Sequence, residues 1–303
     1  MRAAVMDLGT NSFKLLVAQG GEGGVLFIQD VQEVVRLGDG LALTGRFSDA
    51  SMERALETLG DFLERCEDMQ VDVVMAVGTM GFRRASNGEE LLAAIRDRFG
   101  LQVRIISGEE EAELSFQACG GEGPRVVADV GGGSTELVFG DDGIRGAVSV
   151  EVGALFLTDR FLDPSRIPSK DQLDMALLEA RRSVREGVAK LPGPLPPDLW
   201  GVGGTFTTLA SVALGLERYD QDRVHRLSIP VQEVERQLWL YASMTGEERK
   251  TIRGMHPKRA HVALGGAVAA LAVIRELGAQ GVTISARGLR HALMLRLMGD
   301  RGL

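Results

Sequence analysis

Two stretches of this chain superpose without a gap. VMDLGTNSFKLLVA (5–18) and VADVGGGSTELVFG (127–140) place Val5 on Val127, Asp7 on Asp129, Gly9 on Gly131, Ser12 on Ser134 and Leu15 on Leu137, an offset of 122 residues from Asp7 to Asp129. Each reads as an apolar strand with an acid near its tip, a turn of small residues and a second apolar strand. Strands this apolar are buried, and a buried carboxylate is costly unless something compensates it. Glycine lets backbone approach a ligand closely, and successive N–H groups in such a turn form an anion-binding nest. One such hairpin in each half predicts a duplicated domain with a phosphate clamped between the halves.

A third stretch, LWGVGGTFTTLASVALG (199–215), runs from a strand through Gly203, Gly204 and Thr205 into a helix. Backbone N–H groups and the helix dipole favour a phosphate there. The chain has no GxxxxGK[ST] loop, and no strand-GxGxxG-helix with an acid about 20 residues later.

Elsewhere, β-branched runs alternate with amphipathic helices. VDVVMAVGT (71–79), VRIIS (103–107) and RVVADV (125–130) read as buried strands. Ala55, Leu56, Leu59, Phe62 and Leu63 recur at helical spacing after Ser48 and Ser51, either of which suits an N-cap. A second helix is expected from Asn87, with Glu90 completing a capping box, to Gly100. A long helix comes after Ser169, with Gln172 as its capping-box partner, and ends before PGPLPPD. The alternation predicts an α/β protein with mixed sheets.

Composition excludes several classes. With 45% hydrophobic and 25% charged residues over 303 positions, the chain is an ordinary globular protein with core enough for two domains. A net charge of -8 argues against a general nucleic-acid or membrane-surface binder. The only cysteines, Cys66 and Cys119, lie among apolar helical neighbours, which disfavours a disulfide framework or zinc site and suits a reducing cytoplasm. The longest apolar stretch, Ala260 to Ile274, is too short to span a bilayer, and Asp7 breaks the N-terminal apolar run that a signal peptide would need.

Taken together, DLGTNSFKLLVA, GTMGFRRA, ISGEEEAELSF, DVGGGSTELVFG, GVGGTFTTLA and HPKRA...ISARGLRHALMLRL resemble, in order, the exopolyphosphatase and guanosine pentaphosphate phosphohydrolase family, within the actin, Hsp70 and sugar-kinase superfamily. The match covers Val5 to about Leu297, and the length is that of the short, two-domain form. The resemblance implies duplicated actin-like (ribonuclease H-like) domains, about 1–121 and 122–303, with a cleft between them. The resemblance further implies that a final helix at about 288–299 packs back on the first domain. It also implies Mg2+-assisted hydrolysis (Mn2+ being an alternative) of a terminal phosphoanhydride in polyphosphate or a guanosine pentaphosphate. A homodimer is kept open.

Splitting a phosphoanhydride with water needs a base and positive charge on the phosphoryl oxygens. The family's motif puts the base at Glu111, just before Ala112, whereas Glu109 and Glu110 read as acids favoured by a helix N-terminus. Arg83 matches the arginine of T-x-x-x-R-x-A and is assigned to phosphate, with Arg84 a solvated neighbour. Asp7 and Asp129 are candidate Mg2+ ligands, although either would look the same if it bonded only its own turn. Glu136, the glutamate of GGGSTE, is a further candidate ligand. The phosphate contacts expected are Gly9, Thr10, Asn11 and Ser12; Gly131, Gly132, Gly133, Ser134 and Thr135; and Gly203, Gly204 and Thr205. Arg253, His256, Lys258, Arg259 and His261 form either a secondary polyphosphate site or a basic surface loop.

The chain departs from the family at Met80 and Gly81, and at ARGLRHA, where many members have an acid before GLREG. These differences bear on substrate preference. Exopolyphosphatase is the leading reading. A pppGpp 5'-phosphohydrolase, a non-catalytic sensor of (p)ppGpp or polyphosphate and, more remotely, a sugar kinase are the alternatives.

Overall fold

The computed structural model describes residues 1–21, 24–120, 123–141 and 143–299. In chain order the first elements are β1 (Arg2–Leu8), β2 (Ser12–Gly21), β3 (Gly24–Val34), α1 (Leu41–Thr44), α2 (Asp49–Asp68), β4 (Val73–Gly78), α3 (Met80–Arg84), α4 (Gly88–Phe99), β5 (Val103–Ile105) and α5 (Gly108–Cys119). Then come β6 (Arg125–Val130), β7 (Thr135–Gly140), β8 (Ile144–Val150), α6 (Ala154–Phe161), α7 (Lys170–Val188), β9 (Leu199–Val202), α8 (Gly203–Ala213) and α9 (Gln221–Val224). The last are β10 (Ser228–Pro230), α10 (Val231–Ala242), α11 (Gly246–Arg249), a 3-10 turn at Pro257–Arg259, α12 (Ala263–Glu276), β11 (Gly281–Ile284) and α13 (Leu289–Met298).

Two compact units result, one formed by Met1–Ala118 with Leu289–Leu303 and the other by Cys119–Gly288. The boundary expected between residues 121 and 122 lies outside the described residues.

The first unit holds a five-stranded sheet in the order β3-β2-β1-β4-β5. Its β1, β2 and β3 form an antiparallel meander, and β4 and β5 add in parallel beside β1. The second unit repeats this as β8-β7-β6-β9-β11, with β10 appended antiparallel to β11. The actin-like, ribonuclease H-like arrangement is thus present twice. The duplicated stretches occupy the same place in each copy, as the central strand, the turn and the next strand.

Both faces of β1 are covered, which is why its sequence lacks a polar alternation. Ala4, Met6 and Leu8 pack with Leu59 and Phe62 of α2 and Leu91 and Ile95 of α4. Ala3 and Val5 pack on the other face with Leu114 of α5 and Leu289, Leu293 and Met294 of α13. Arg290 clamps α13 to β3 through both Asp30 oxygens, at 2.8 and 2.7 Å. In the second unit the apolar run near 260–274 becomes α12, buried from Ala263 through Ile274 and packed against α6, α7, α8 and α10. Among the described residues no helix is long and apolar enough to cross a membrane.

Local signals behaved unevenly. Ser48 caps α2 by accepting the Ser51 N–H, and Ser169 and Gln172 form a reciprocal capping box on α7. The capping box expected at Asn87 and Glu90 does not form. The Asn87 amide instead accepts the Phe47 N–H at 2.9 Å and donates to its carbonyl at 3.0 Å, while Glu90 stands near Arg46. A tertiary partner offering two bonds outcompetes a local cap offering one.

Candidate functional site

The first unit presents its set of residues around the turn between β1 and β2. Gly9 N–H donates to Ser12 O at 3.1 Å and closes the turn. The Thr10 carbonyl accepts from Gly38, and that of Asn11 accepts from Val35 and Arg36, at 2.8 to 3.1 Å. A trans peptide carries its C=O and the following N–H on opposite sides. The Asn11 and Ser12 N–H groups are therefore aimed away from these carbonyl contacts, the polarity an anion requires. Asn11 Oδ1 is buried and accepts no hydrogen bond among the described residues, an unmet polar group that a ligand would satisfy.

Asp7 lies opposite Lys14 in the ladder, and Lys14 Nζ donates to its Oδ2 at 2.8 Å. An ammonium thus faces Asp7, the residue for which metal binding and bonding to its own turn were the two alternatives. Sequence reasoning passed over Lys14, although the gapless superposition sets it against Glu136, a reversal of charge within an otherwise similar pair of strands.

A Cβ on Gly81 would stand 3.2 Å from Thr10 Oγ1, so α3 starts against this turn. From its last turn Arg83 donates to the Ile106 carbonyl and, from both terminal nitrogens, to Glu111 Oε2 at 3.4 Å. Glu111 lies in the first turn of α5, whose start is capped by Ser107 Oγ accepting the Glu110 N–H at 3.1 Å. The three consecutive glutamates separate by partner. Glu109 is exposed, Glu110 is held by Arg104 at 2.7 Å, and Glu111 meets Arg83.

The second unit repeats the turn. Gly131 N–H donates to Ser134 O at 3.0 Å. The Gly131 carbonyl accepts from Ala154, and that of Gly132 accepts from Leu155 and Phe156, at 2.7 to 3.0 Å. Here the first N–H groups of α6 anchor the turn, so the Gly132 and Gly133 N–H groups are aimed away, as in the first copy. Thr135 departs from expectation: it is fully buried, and its hydroxyl donates to Val152 O at 2.6 Å, which leaves no donor for a phosphate.

Asp129 and Glu136 are cross-strand partners, so their carboxylates share one face of the sheet. Glu136 is buried and accepts from Ser149 Oγ at 2.7 Å. Where the first copy sets a lysine opposite its acid the second sets a glutamate, and like charges directly opposite are destabilising. A hard divalent cation fits this pair, since Mg2+ is commonly held by one or two carboxylates together with substrate phosphates. Among the described residues no three His, Cys, Asp or Glu side chains gather into a metal-binding group.

Gly203 begins α8 at φ 90°, and a Cβ there would lie 2.4 Å from Asp129 Oδ1. Only glycine lets the Asp129 carboxylate come this close to the helix start. At Gly204 the Arg259 guanidinium lies where a Cβ would project. Arg259, Gly204, Thr205, Thr208, Tyr241 and Gly266 line a small recess at the start of α8. The Arg259 guanidinium has no hydrogen bond or ion pair among the described residues, and burial pushes its pKa down to about 10. A desolvated cation on a glycine turn at a helix N-terminus is arranged for an anion. Of the basic cluster, Arg259 thus stands out, while Arg253 pairs with Glu217 at 3.1 Å.

The sequence profile of the Ppx/GppA phosphatase family matches residues 16–301. Exopolyphosphatase 2 of Mycobacterium tuberculosis is 32% identical over 318 residues, covering 98% of this chain and 99% of that protein. Guanosine-5'-triphosphate,3'-diphosphate pyrophosphatase of Photobacterium profundum is 28% identical over 300 residues, covering 97% of this chain but 59% of its own length. The crystal structure of an exopolyphosphatase from Cytophaga hutchinsonii is 26% identical and superposes with a TM-score of 0.88, covering 100% of both chains.

Proposed function

Because the chain belongs to the Ppx/GppA phosphatase family, we propose that it is an exopolyphosphatase, releasing orthophosphate from the end of an inorganic polyphosphate. The pair formed by Arg83 and Glu111 beside the first glycine turn carries this reading. Glu111 orients a water and takes its proton at a carboxylate oxygen. The water oxygen forms a bond to the terminal phosphorus as the bridging P–O bond breaks, and the shortened chain leaves with that electron pair. Arg83 holds Glu111 in place and has further donors for a phosphoryl oxygen. The outward N–H groups of the glycine turns and the Arg259 guanidinium receive phosphate oxygens. Asp129 and Glu136 are the residues that would hold Mg2+. When bound, that ion neutralises charge on the phosphoryl oxygens.

A second reading is supported by the Photobacterium relative, namely removal of the 5'-terminal phosphate of pppGpp. The same bond type is broken and the same residues serve. The deciding experiment measures orthophosphate released by the purified protein from polyphosphate and, separately, from pppGpp, with Mg2+ present. Faster release from polyphosphate is expected. Faster release from pppGpp would select the second reading, and silence on both would sink the hydrolase in favour of a binding protein.

A further inference from the structure

The parallel strands β6, β9 and β11 all point the same way, so their carboxyl-terminal ends open together at one edge of the second unit's sheet. In strand order these ends lead into the Gly131 turn, the Gly203 turn and the segment Ser285–Arg287. Ser285 N–H donates to Gly201 O at 2.8 Å, and a Cβ on Gly288 would stand 3.0 Å from Val202. The last segment therefore lies beside the strand that leads into Gly203. Adjacent strands are about 4.8 Å apart, so the three strand ends form a row roughly 10 Å long. Ligands of open α/β sheets bind outside the carboxyl ends of the strands.

That row ends in a group of cations. Arg226 N–H donates to Ile284 O at 2.7 Å, and the Ala286 N–H donates to His225 Nδ1 at 3.3 Å, which ties residues 225–226 to 284–287. Arg226 holds φ 66°, a backbone state unusual for a non-glycine residue and often kept where function requires it. Burial, then the nearby charges of Arg287 and Arg226, push the His225 pKa down, with Asp222 opposing them. The imidazole, accepting at Nδ1, is held neutral, and the positive charge belongs to the two arginines.

This chain has 42 acids against 34 lysines and arginines, and elsewhere in the second unit Arg145, Arg182, Arg236 and Arg275 all face carboxylates. Neither Arg226 nor Arg287 has a hydrogen bond or ion pair from its guanidinium among the described residues. Two unmatched guanidinium groups, each near enough to His225 to act on its charge, favour an anion in an acidic protein. Resting on the polyphosphate reading above, we propose that Arg226 and Arg287 form a distal phosphate subsite that holds an inner phosphate of a long polyphosphate, beyond those received at the glycine turns.

The test compares long-chain polyphosphate with tripolyphosphate, which covers less of the roughly 10 Å row from the Gly131 turn to the arginines than a long chain does. In the variant carrying Arg226→Gly and Arg287→Gln, KM for the long chain rises about tenfold, the loss expected for two partly exposed charge contacts. KM for tripolyphosphate moves far less, and restoring charge with Arg287→Lys recovers part of the loss. Glycine at 226 adopts the observed φ without strain, so a fall in stability is not expected, and thermal unfolding checks this. Equal KM changes on both substrates, or none, would overturn the subsite. Should the unaltered protein release no phosphate at all, the hydrolase reading fails separately. The subsite is then decided by calorimetric titration of long-chain polyphosphate in EDTA. Binding weakened by the two substitutions supports it, and absent or unaltered binding refutes it.

Discussion

Lys14 Nζ stands 2.8 Å from Asp7 Oδ2 across the first hairpin. Glu136 occupies the equivalent position opposite Asp129 in the second. The two copies have kept the acid at the strand tip and inverted the charge beside it. In the first hairpin an ammonium faces the acid, and in the second a glutamate lies opposite it in the ladder.

Removing the lysine should therefore damage folding. Lys14→Met leaves Asp7 buried opposite an apolar side chain and is expected to cost about 2 kcal/mol, discounted because Lys14 is partly exposed. Denaturant midpoints measure the loss. Adding Asp7→Asn should recover much of it, and a double variant no more stable than Lys14→Met would show that the pair is not what matters.

For the second hairpin the expected dependence is on metal. Mg2+ should raise the thermal midpoint of the unaltered protein, and Asp129→Asn should remove that rise. A Mg2+-dependent rise that survives Asp129→Asn places the ion elsewhere.

Glu111→Gln keeps the shape of the side chain and removes its basicity. Phosphate release should fall about 100-fold or more with little change in stability, while Glu110→Gln, which loses only the exposed pair with Arg104, should leave release nearly intact. Comparable rates for Glu111→Gln and the unaltered protein would remove Glu111 from the mechanism.

Acid should loosen α13. Burial alone would push the Asp30 carboxyl up, but the Arg290 guanidinium and the His291 hydrogen bond hold it well below the usual carboxylate range. A lowered folded pKa contributes stability above the unfolded value near 4, and that contribution fades as pH falls from there toward the folded value. Asp30→Asn should thus cost about 1 kcal/mol at neutral pH, discounted for partial exposure. The difference from the unaltered protein should close below about pH 4. A gap that stays constant through that range would contradict the assignment.

Much of the outline was legible in the sequence because it depends on neighbours along the chain. The strand, turn and strand of each hairpin, the caps at Ser48 and Ser169 and the apolar face of α2 come from alternation, from helical spacing and from a hydroxyl three residues before an N–H. The place of Arg83 was different. Its contact with Glu111 spans 28 residues and exists because β4 and β5 lie side by side, bringing α3 and the start of α5 together.

The sequence by itself determined that two similar hairpins would each bury an acid-tipped strand and offer a turn of small residues. Period, size and backbone freedom are properties of a few adjacent positions. Tertiary structure alone decided which charges met, Lys14 with Asp7, Arg83 with Glu111 and Arg290 with Asp30 across 260 residues, and set the Arg259 guanidinium over Gly204. Charge carries no periodicity that identifies its partner. The order of strands in each sheet sets those distances, and with them whether a buried carboxylate faces a cation or a second acid.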